Sequence, residues 1–366
     1  MNAGRRLLLP AVVVAVVAAA LIATPGLWDR VKAPFVRSPD LLVVTNRPKG
    51  IMGTMCTLTG VVEAGRQQLA VDAVRKAEQV LRTIEMRMST YVRMSEVSLL
   101  NAAEAGRPVS LSPDTLEVLR LAGQLHGQTD GAFDVTCLPV FRLWARAGKQ
   151  NRLPADEELA AARALCGWGK FELLEAGARK TIDGAGVGLG GIAKGYSIDR
   201  ALEAIRSSGC PGGLVDVGGD IRCFGTSPRR GRWRVAVQNP FDTSEGARFG
   251  TLALTDLAVC TSGNYRRFAE IGGKRYSHII DPRTARPVDL APSVTVVAPT
   301  AAVADGWATA LSVLGPAGLK RIPPAAGIEA LLVVGGPDDY QLHQTGGFAK
   351  LLIAPVPVSG PTHDAP

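Results

Sequence analysis

Aromatic residues are scarce in this chain, at 5%, and its four histidines and six cysteines include no C-x-x-C pair. A zinc site therefore has no ligand spacing to rest on. Basic residues outnumber acidic ones, 41 to 33, giving a net charge of +8 and pI ≈ 9.4, but they form no long run. That balance suits an anionic ligand or a membrane surface. Without a basic stretch interleaved with aromatics, nucleic acid is disfavoured as the main partner. Charged residues at 20% and apolar residues at 46% exclude the disordered, collagen-like and coiled-coil classes. A length of 366 residues suits about two domains or one large one.

The first residues carry a signal of their own. Arg5 and Arg6 precede an uncharged run of 17 residues, Leu7 to Ala23, interrupted only by Pro10 and followed by Thr24, Pro25 and Gly26. A charged start, an apolar stretch and small residues at its end read as an export signal over residues 1–26, and the run is just long enough to remain as an inner-membrane anchor. No Ser or Phe supports a twin-arginine route, and no Cys follows for lipid attachment. Export permits disulfides, yet a domain of this size does not need them. Cys56, Cys137, Cys166, Cys210, Cys223 and Cys260 are therefore expected as mainly buried free thiols, with room for one bridge.

A linker over 27–43 leads to a domain over 44–355, and a Pro-rich tail over 356–366 is expected to be disordered. Met52 to Val62 reads as a strand. Ala70, Val74, Ala77, Leu81, Ile84 and Met88 share one helical face. A second helix is expected to start at Pro113 behind a Ser112 cap and stop by Gly127, a third to cover Asp156 to Leu165, and a fourth to run from Ile192 to Ser207. Arg232 to Val237, Thr251 to Val259, Ser293 to Ala298 and Glu329 to Val334 read as strands, and a last helix follows Thr300 to Leu314. Helices and strands mix without a βαβ rhythm, so the expected fold class is α+β.

The densest chemical signal is the glycine-rich segment from Asp183 to Gly195. Glycines that open a helix let backbone N–H groups approach a phosphate at the positive end of the helix dipole. Gly186, Gly188 and Gly191 even satisfy G-x-G-x-x-G, with Asp216 at a distance suited to a ribose contact. The strand ahead of them is only Lys180 to Asp183, however, and a Walker loop fails because Lys194 lies between Ala193 and Gly195. A glycine turn that merely packs a helix on a sheet is the bland alternative.

Asp305 and Thr309, four apart on the last helix, present a carboxylate and a hydroxyl on one face, a pair suited to a hard cation such as Mg²⁺. Such pairs also arise by chance. His278, flanked by Ile279-Ile280-Asp281-Pro282, reads equally as a satisfied core imidazole or as a proton carrier. Thr261-Ser262-Gly263-Asn264-Tyr265 and Asp216 to Asp220 end apolar strands in small polar residues, where ligands are commonly held. Ser262 lacks a nucleophile-elbow context, so a hydrolase triad is disfavoured.

In this order, Met52-Gly53-Thr54, Ser89-Thr90-Tyr91, Gly131 to Asp134 with Leu143-Trp144, Gly190 to Tyr196, Val217 to Asp220, Thr261 to Gly263, His278 to Pro282 and Ala304-Asp305 to Thr309-Ala310 resemble the FAD:protein FMN transferase family, the ApbE-type flavin transferases. The resemblance spans most of the chain from about residue 50 to 335. It implies a single α+β domain with a mixed, largely antiparallel sheet and packed helices, which binds FAD and Mg²⁺. The implied reaction moves the FMN half of FAD to a threonine hydroxyl of an acceptor protein and releases AMP.

Carried over by position, Met52, Tyr91 and Ala132-Phe133-Asp134 would line the flavin and adenosine sites, and Lys194 and Ile280 would complete the FAD cleft. The Gly191 carbonyl, Asp305 and Thr309 would hold Mg²⁺. His278 is the expected base for the acceptor threonine. The implied acceptor is an exported flavoprotein, by default a membrane redox-complex subunit facing the periplasm.

The sequence also departs from the family pattern. Gly188 stands where Asp is usual before Leu-Gly-Gly, so one expected FAD or metal contact must come from water or Asp183, or is lost. Asn264 replaces an Asp, Ala285 a Gly, Gly306-Trp307 an Ala-Leu, and Ala308 offers no second acid. An Mg²⁺-dependent FAD pyrophosphatase, with water as nucleophile, is the nearest alternative. A nicotinamide or flavin oxidoreductase, or a non-catalytic flavin binder, is more remote.

Overall fold

A computed structural model describes residues 40–229, 231–242, 244, 247–263, 268–354 and 362–364. The segment read as an export signal, the motif residues Asn264 and Tyr265, and most of the tail lie outside the described residues. Among the described residues no helix is long and apolar enough to cross a membrane.

Strands rich in Val, Leu and Ala on both faces can be stable only between two covering layers. The strand at Ser293–Ala298 is such a case, because all six of its residues are buried. Val294, Val296 and Ala298 pack with the helices, whereas Val297 packs with a second sheet.

Among the described residues, twelve strands form these two sheets and seven helices accompany them. The strands are β1 (Leu41–Asn46), β2 (Cys56–Glu63), β3 (Gly212–Val217), β4 (Asp220–Gly225), β5 (Trp233–Gln238), β6 (Arg248–Leu254), β7 (Ala258–Gly263), β8 (Ser293–Ala298), β9 (Glu329–Val334), β10 (Gln341–Gln344), β11 (Leu352–Ala354) and β12 (Thr362–Asp364). The helices are α1 (Gln67–Met88), α2 (Glu96–Ala102), α3 (Pro113–Gln128), α4 (Leu138–Gln150), α5 (Asp156–Ala164), α6 (Ala193–Ser207) and α7 (Ala301–Leu314).

The main sheet runs β1-β2-β3-β4-β7-β8-β9-β10-β12, antiparallel throughout except for the last pair. Helices α1, α6 and α7 cover one face through Ala77, Leu81, Ile198, Leu202, Ala304 and Leu311. The small sheet β11-β6-β5 covers the other face with Trp233, Val235, Phe249 and Leu252. Each fully buried Val or Leu contributes about 1.5–3 kcal/mol, so this two-sided core is the main source of stability. The fold is α+β with a largely antiparallel sheet, as expected.

Some expected boundaries shift, each for a local reason. Leu41 and Val43 already pair with Glu63 and Val61, so the domain begins three residues before 44. Met52 and Gly53 take left-handed backbones, φ 49° and 65°, so β2 starts at Cys56 rather than Met52. The expected strand at Lys180 to Asp183 is instead Gly177–Lys180, in a separate antiparallel sheet with 109–110 and 171–174, which rules out a dinucleotide-binding βαβ unit. The single strand expected at Thr251 to Val259 divides at Asp256, whose φ is 54°, into β6 and β7 in different sheets. α3 ends at Gln128, and α2 and α4 are additional. All six cysteines are free thiols.

Candidate functional site

Two helix beginnings meet at the site because one residue has no side chain. A Cβ on Gly195 would lie 2.2 Å from the Ala301 carbonyl oxygen, so only glycine lets the first turn of α6 touch the first turn of α7. Asp199, one turn further along α6, accepts hydrogen bonds from the Ala301 and Ala302 amides at 2.8 and 2.9 Å and pairs with Arg222 at 2.7 Å. These contacts fix the register of the two helices. Gly195→Ala is expected to destabilise the fold by about 3 kcal/mol or more, because the clash is with backbone that cannot rotate away. Urea unfolding measures this directly.

The register brings Asp305 of α7 to the start of α6, where the Gly195 amide donates to Asp305 Oδ2 at 3.0 Å. Thr309, one turn along, faces Gly191: a Cβ there would lie 3.1 Å from Thr309 Oγ1 and 3.3 Å from Phe133. Thr309 thus lies against Gly191, and Asp305, one turn before it on α7, lies against the start of α6. Burial raises the Asp305 carboxyl well above its ordinary range; Lys194 opposes the rise and Asp220 adds to it. Burial alone would lower the Lys194 ammonium, but Asp220, in direct contact with it, and then Asp305 push it above its ordinary value. Two carboxyl groups therefore act on one ammonium in this corner, with Asp220 in direct contact. The Asp305 carboxylate and the Thr309 hydroxyl, one turn apart on α7, with the backbone carbonyl of the adjacent Gly191, are all oxygen donors, the type a hard cation takes. Among the described residues no cluster of three His, Cys, Asp or Glu competes for that role.

The glycine-rich loop is less open than the sequence suggested. Asn101 accepts from the Val187 amide at 2.7 Å and donates to the Val187 carbonyl at 2.8 Å, and the Gly188 amide donates to the Val135 carbonyl. The Ile192 and Ala193 amides both donate to the Leu189 carbonyl. These N–H groups are used by the protein itself, so charge at a ligand phosphate would be met chiefly by Lys194 and a cation. A Cβ on Gly188 would meet only Leu138, at an ordinary 3.4 Å, so packing does not require glycine there. Asp183 is exposed, and one of its carboxylate oxygens accepts the Ala105 amide at 2.8 Å.

The Ala132-Phe133-Asp134 turn lies against this corner. Ala132 and Phe133 are buried, and Thr129 Oγ1 accepts from the Phe133 amide at 3.0 Å. Burial raises the Asp134 carboxyl, while hydrogen bonds from Thr136 and the nearby His126 oppose the rise.

Met52 is held from the opposite side by Glu85, whose carboxylate accepts its amide hydrogen at 2.9 Å, and its sulfur lies 3.6 Å from Ser197 Oγ on α6. Tyr91 is 99% exposed, a free-standing ring on the loop after α1, with no contact to the residues around Asp305. Ile280 is buried with Val140, Leu143 and Trp144 of α4. Its neighbour Ile279 packs on Ala132 and on Val313, one turn beyond Thr309. His278 next to it is exposed, which removes the core-imidazole reading.

Two contributors carry no signal in the sequence alone: Glu85 behind Met52 and Asp199 at the α7 cap. Asp220 stands in a segment the sequence singled out, but its pairing with Lys194 did not show there. A separate cavity of about 640 Å³, lined by Arg229, Arg234, Ala236, Arg248, Thr251, Ile353 and Ala354, lies on the small sheet and holds none of the site residues.

Comparisons of the whole chain with known proteins point to one family. The model of the ApbE family matches residues 52–332. A protein of Vibrio cholerae named FAD:protein FMN transferase is 34% identical over 75% of this chain and 83% of its own length. One of the same name from Haemophilus influenzae is 32% identical over 75% and 82%. The solved structure of the flavin transferase ApbE from Vibrio cholerae superposes with a TM-score of 0.73 at 31% identity, covering 85% of this chain and 100% of that one.

Proposed function

The chain belongs to the ApbE family, and on that premise we propose that it transfers the FMN half of FAD to a threonine hydroxyl of an acceptor flavoprotein and releases AMP. The observation that carries this reading is the meeting of Gly191, Asp305 and Thr309 beside the Lys194 ammonium.

In the proposed reaction the threonine oxygen attacks the phosphorus on the riboflavin side of the FAD diphosphate. A new P–O bond forms, the bond from that phosphorus to the bridging oxygen breaks, and AMP departs with that oxygen. Such transfers depend on positioning and charge neutralisation more than on covalent help from the protein. Lys194 supplies a fixed positive charge and α6 the positive end of its dipole. Mg²⁺, held by the Gly191 carbonyl, Asp305 and Thr309, would neutralise diphosphate charge. His278 takes the proton of the threonine hydroxyl; its exposure leaves it accessible to an acceptor protein. Met52 and Phe133 offer apolar walls, Tyr91 an uncovered ring, and Ile280 supports the segment that bears His278.

The acceptor we propose is an exported or membrane-bound flavoprotein, a redox-complex subunit on the outer side of the cytoplasmic membrane, because Leu7 to Ala23 reads as an export signal or anchor. The chain is incubated with FAD, Mg²⁺ and a threonine-bearing acceptor domain. Flavin fluorescence that stays with the acceptor on a denaturing gel, matched by AMP release, is the expected result. Free FMN and AMP formed without acceptor would mark a pyrophosphatase instead.

A further inference from the structure

Two buried carboxyl groups act on Lys194, and the fold puts it in contact with one of them, Asp220. Asp220 opens β4 directly after a two-residue hairpin, Gly218-Gly219, in which both glycines are left-handed, φ 66° and 93°. The pairing of Val217 with Asp220 fixes where the carboxylate points. Asp220 is 2% exposed, and both its oxygens are committed: Oδ1 accepts the Thr261 amide of β7 at 3.0 Å, and Oδ2 pairs with Lys194 Nζ. Asp305 is anchored separately by the Gly195 amide.

A lysine stem is flexible, and an ammonium that loses one buried counter-ion turns to the nearest remaining one. In this corner Asp305 is available for that: its carboxylate accepts the amide of Gly195, the residue next to Lys194, and it acts on the ammonium after Asp220. We infer that Asp220 is a positioning residue for Lys194: it holds the ammonium at a fixed place beside the diphosphate and keeps it from pairing with Asp305. The inference rests on the proposed transferase reading and deepens it. Asp220 touches neither reacting atom and acts only through Lys194.

The test compares Asp220→Asn, Asp220→Glu, Lys194→Ala and the double variant Asp220→Asn with Lys194→Ala. Two readouts are used: kcat and KM for FAD in the transfer assay, and FAD affinity from flavin fluorescence without metal or acceptor. Asparagine keeps the acceptor for the Thr261 amide but turns an NH₂ donor toward Lys194, so both the charge and the acceptor facing the ammonium are lost. Asp220→Asn is expected to lower kcat at least tenfold while metal-free FAD affinity changes less than threefold. Asp220→Glu should recover part of the loss. On the Lys194→Ala background the Asp220 change should cost less than twofold, because its target is gone.

A purely structural role for Asp220 would instead carry its full penalty into the double variant, and that result overturns the inference. So does full activity of Asp220→Asn. Should Asp220→Asn not fold, Asp220→Glu with and without Lys194→Ala makes the same comparison. A wild-type chain that binds no FAD or transfers no flavin would sink the transferase reading itself, which is a distinguishable outcome.

Discussion

Asp305→Asn is expected to lower FMN transfer by about 10³-fold or more while the folded protein without metal becomes no less stable. The two halves of this result have one cause. Burial is the largest influence on the Asp305 carboxyl and favours its neutral form, so the fold holds a charge that its surroundings resist. Asparagine keeps an acceptor for the Gly195 amide and removes that charge, which relieves the desolvation cost. The same change deletes the one anionic donor of the proposed cation set. Loss of the diphosphate's counter-charge is worth several kcal/mol in a phosphoryl-transfer transition state. Thermal unfolding in EDTA and the transfer assay with Mg²⁺ read the two effects separately. A variant that loses activity only in proportion to lost fold would contradict this account.

The pH dependence follows from the same shift. The folded chain keeps its Asp305 proton at pH values where the unfolded chain has already lost it, and Asp134, Asp199 and Asp216 are raised by burial in the same way. Stability without metal should therefore fall as pH rises from the ordinary carboxylate range through these raised values. A divalent cation binds the ionised form, so the increase in melting temperature given by Mg²⁺ should grow with pH over the same window. A gain that shrinks with rising pH would run against it.

His278→Ala is the second large effect, with transfer expected to drop by about 10²- to 10⁴-fold and FAD affinity kept. His278 is exposed, and its neighbour Ile279 packs on Ala132 and Val313, so truncation at 278 leaves the Ile279 packing in place. FAD titration and single-turnover transfer, measured on the same preparation, check it. Full activity would end the role of His278 as the base, and lost FAD binding would make it a binding residue.

Much of this was legible from residue pattern. β8 and β9 fall where the continuous Val, Leu and Ala runs place them, because a strand buried on both faces needs such runs. α7 begins behind Thr300, whose side chain caps the Val303 amide, and α3 behind Ser112 with Pro113 in its first turn. α4 was hidden because Cys137 precedes it without a side-chain cap, although Val140, Leu143, Trp144 and Ala147 share a helical face. The break at Asp256 depends on one left-handed residue whose type did not demand it. The glycine-rich loop advertised open amides, but the Asn101 side chain, 86 residues away, takes one of them. The Lys194–Asp220 pair was equally out of sight, since a hairpin and a helix start must be superposed before it exists.

Soaking crystals of the protein with FAD and Mn²⁺ and locating the metal by its anomalous signal tests the centre of the account. The expected peak lies within coordination distance of the Gly191 carbonyl oxygen, Asp305 and Thr309 Oγ1, with Lys194 beside the FAD diphosphate. A flavin nucleotide bound with its metal away from α7, or bound with Asp305 still paired only to the protein, would contradict it.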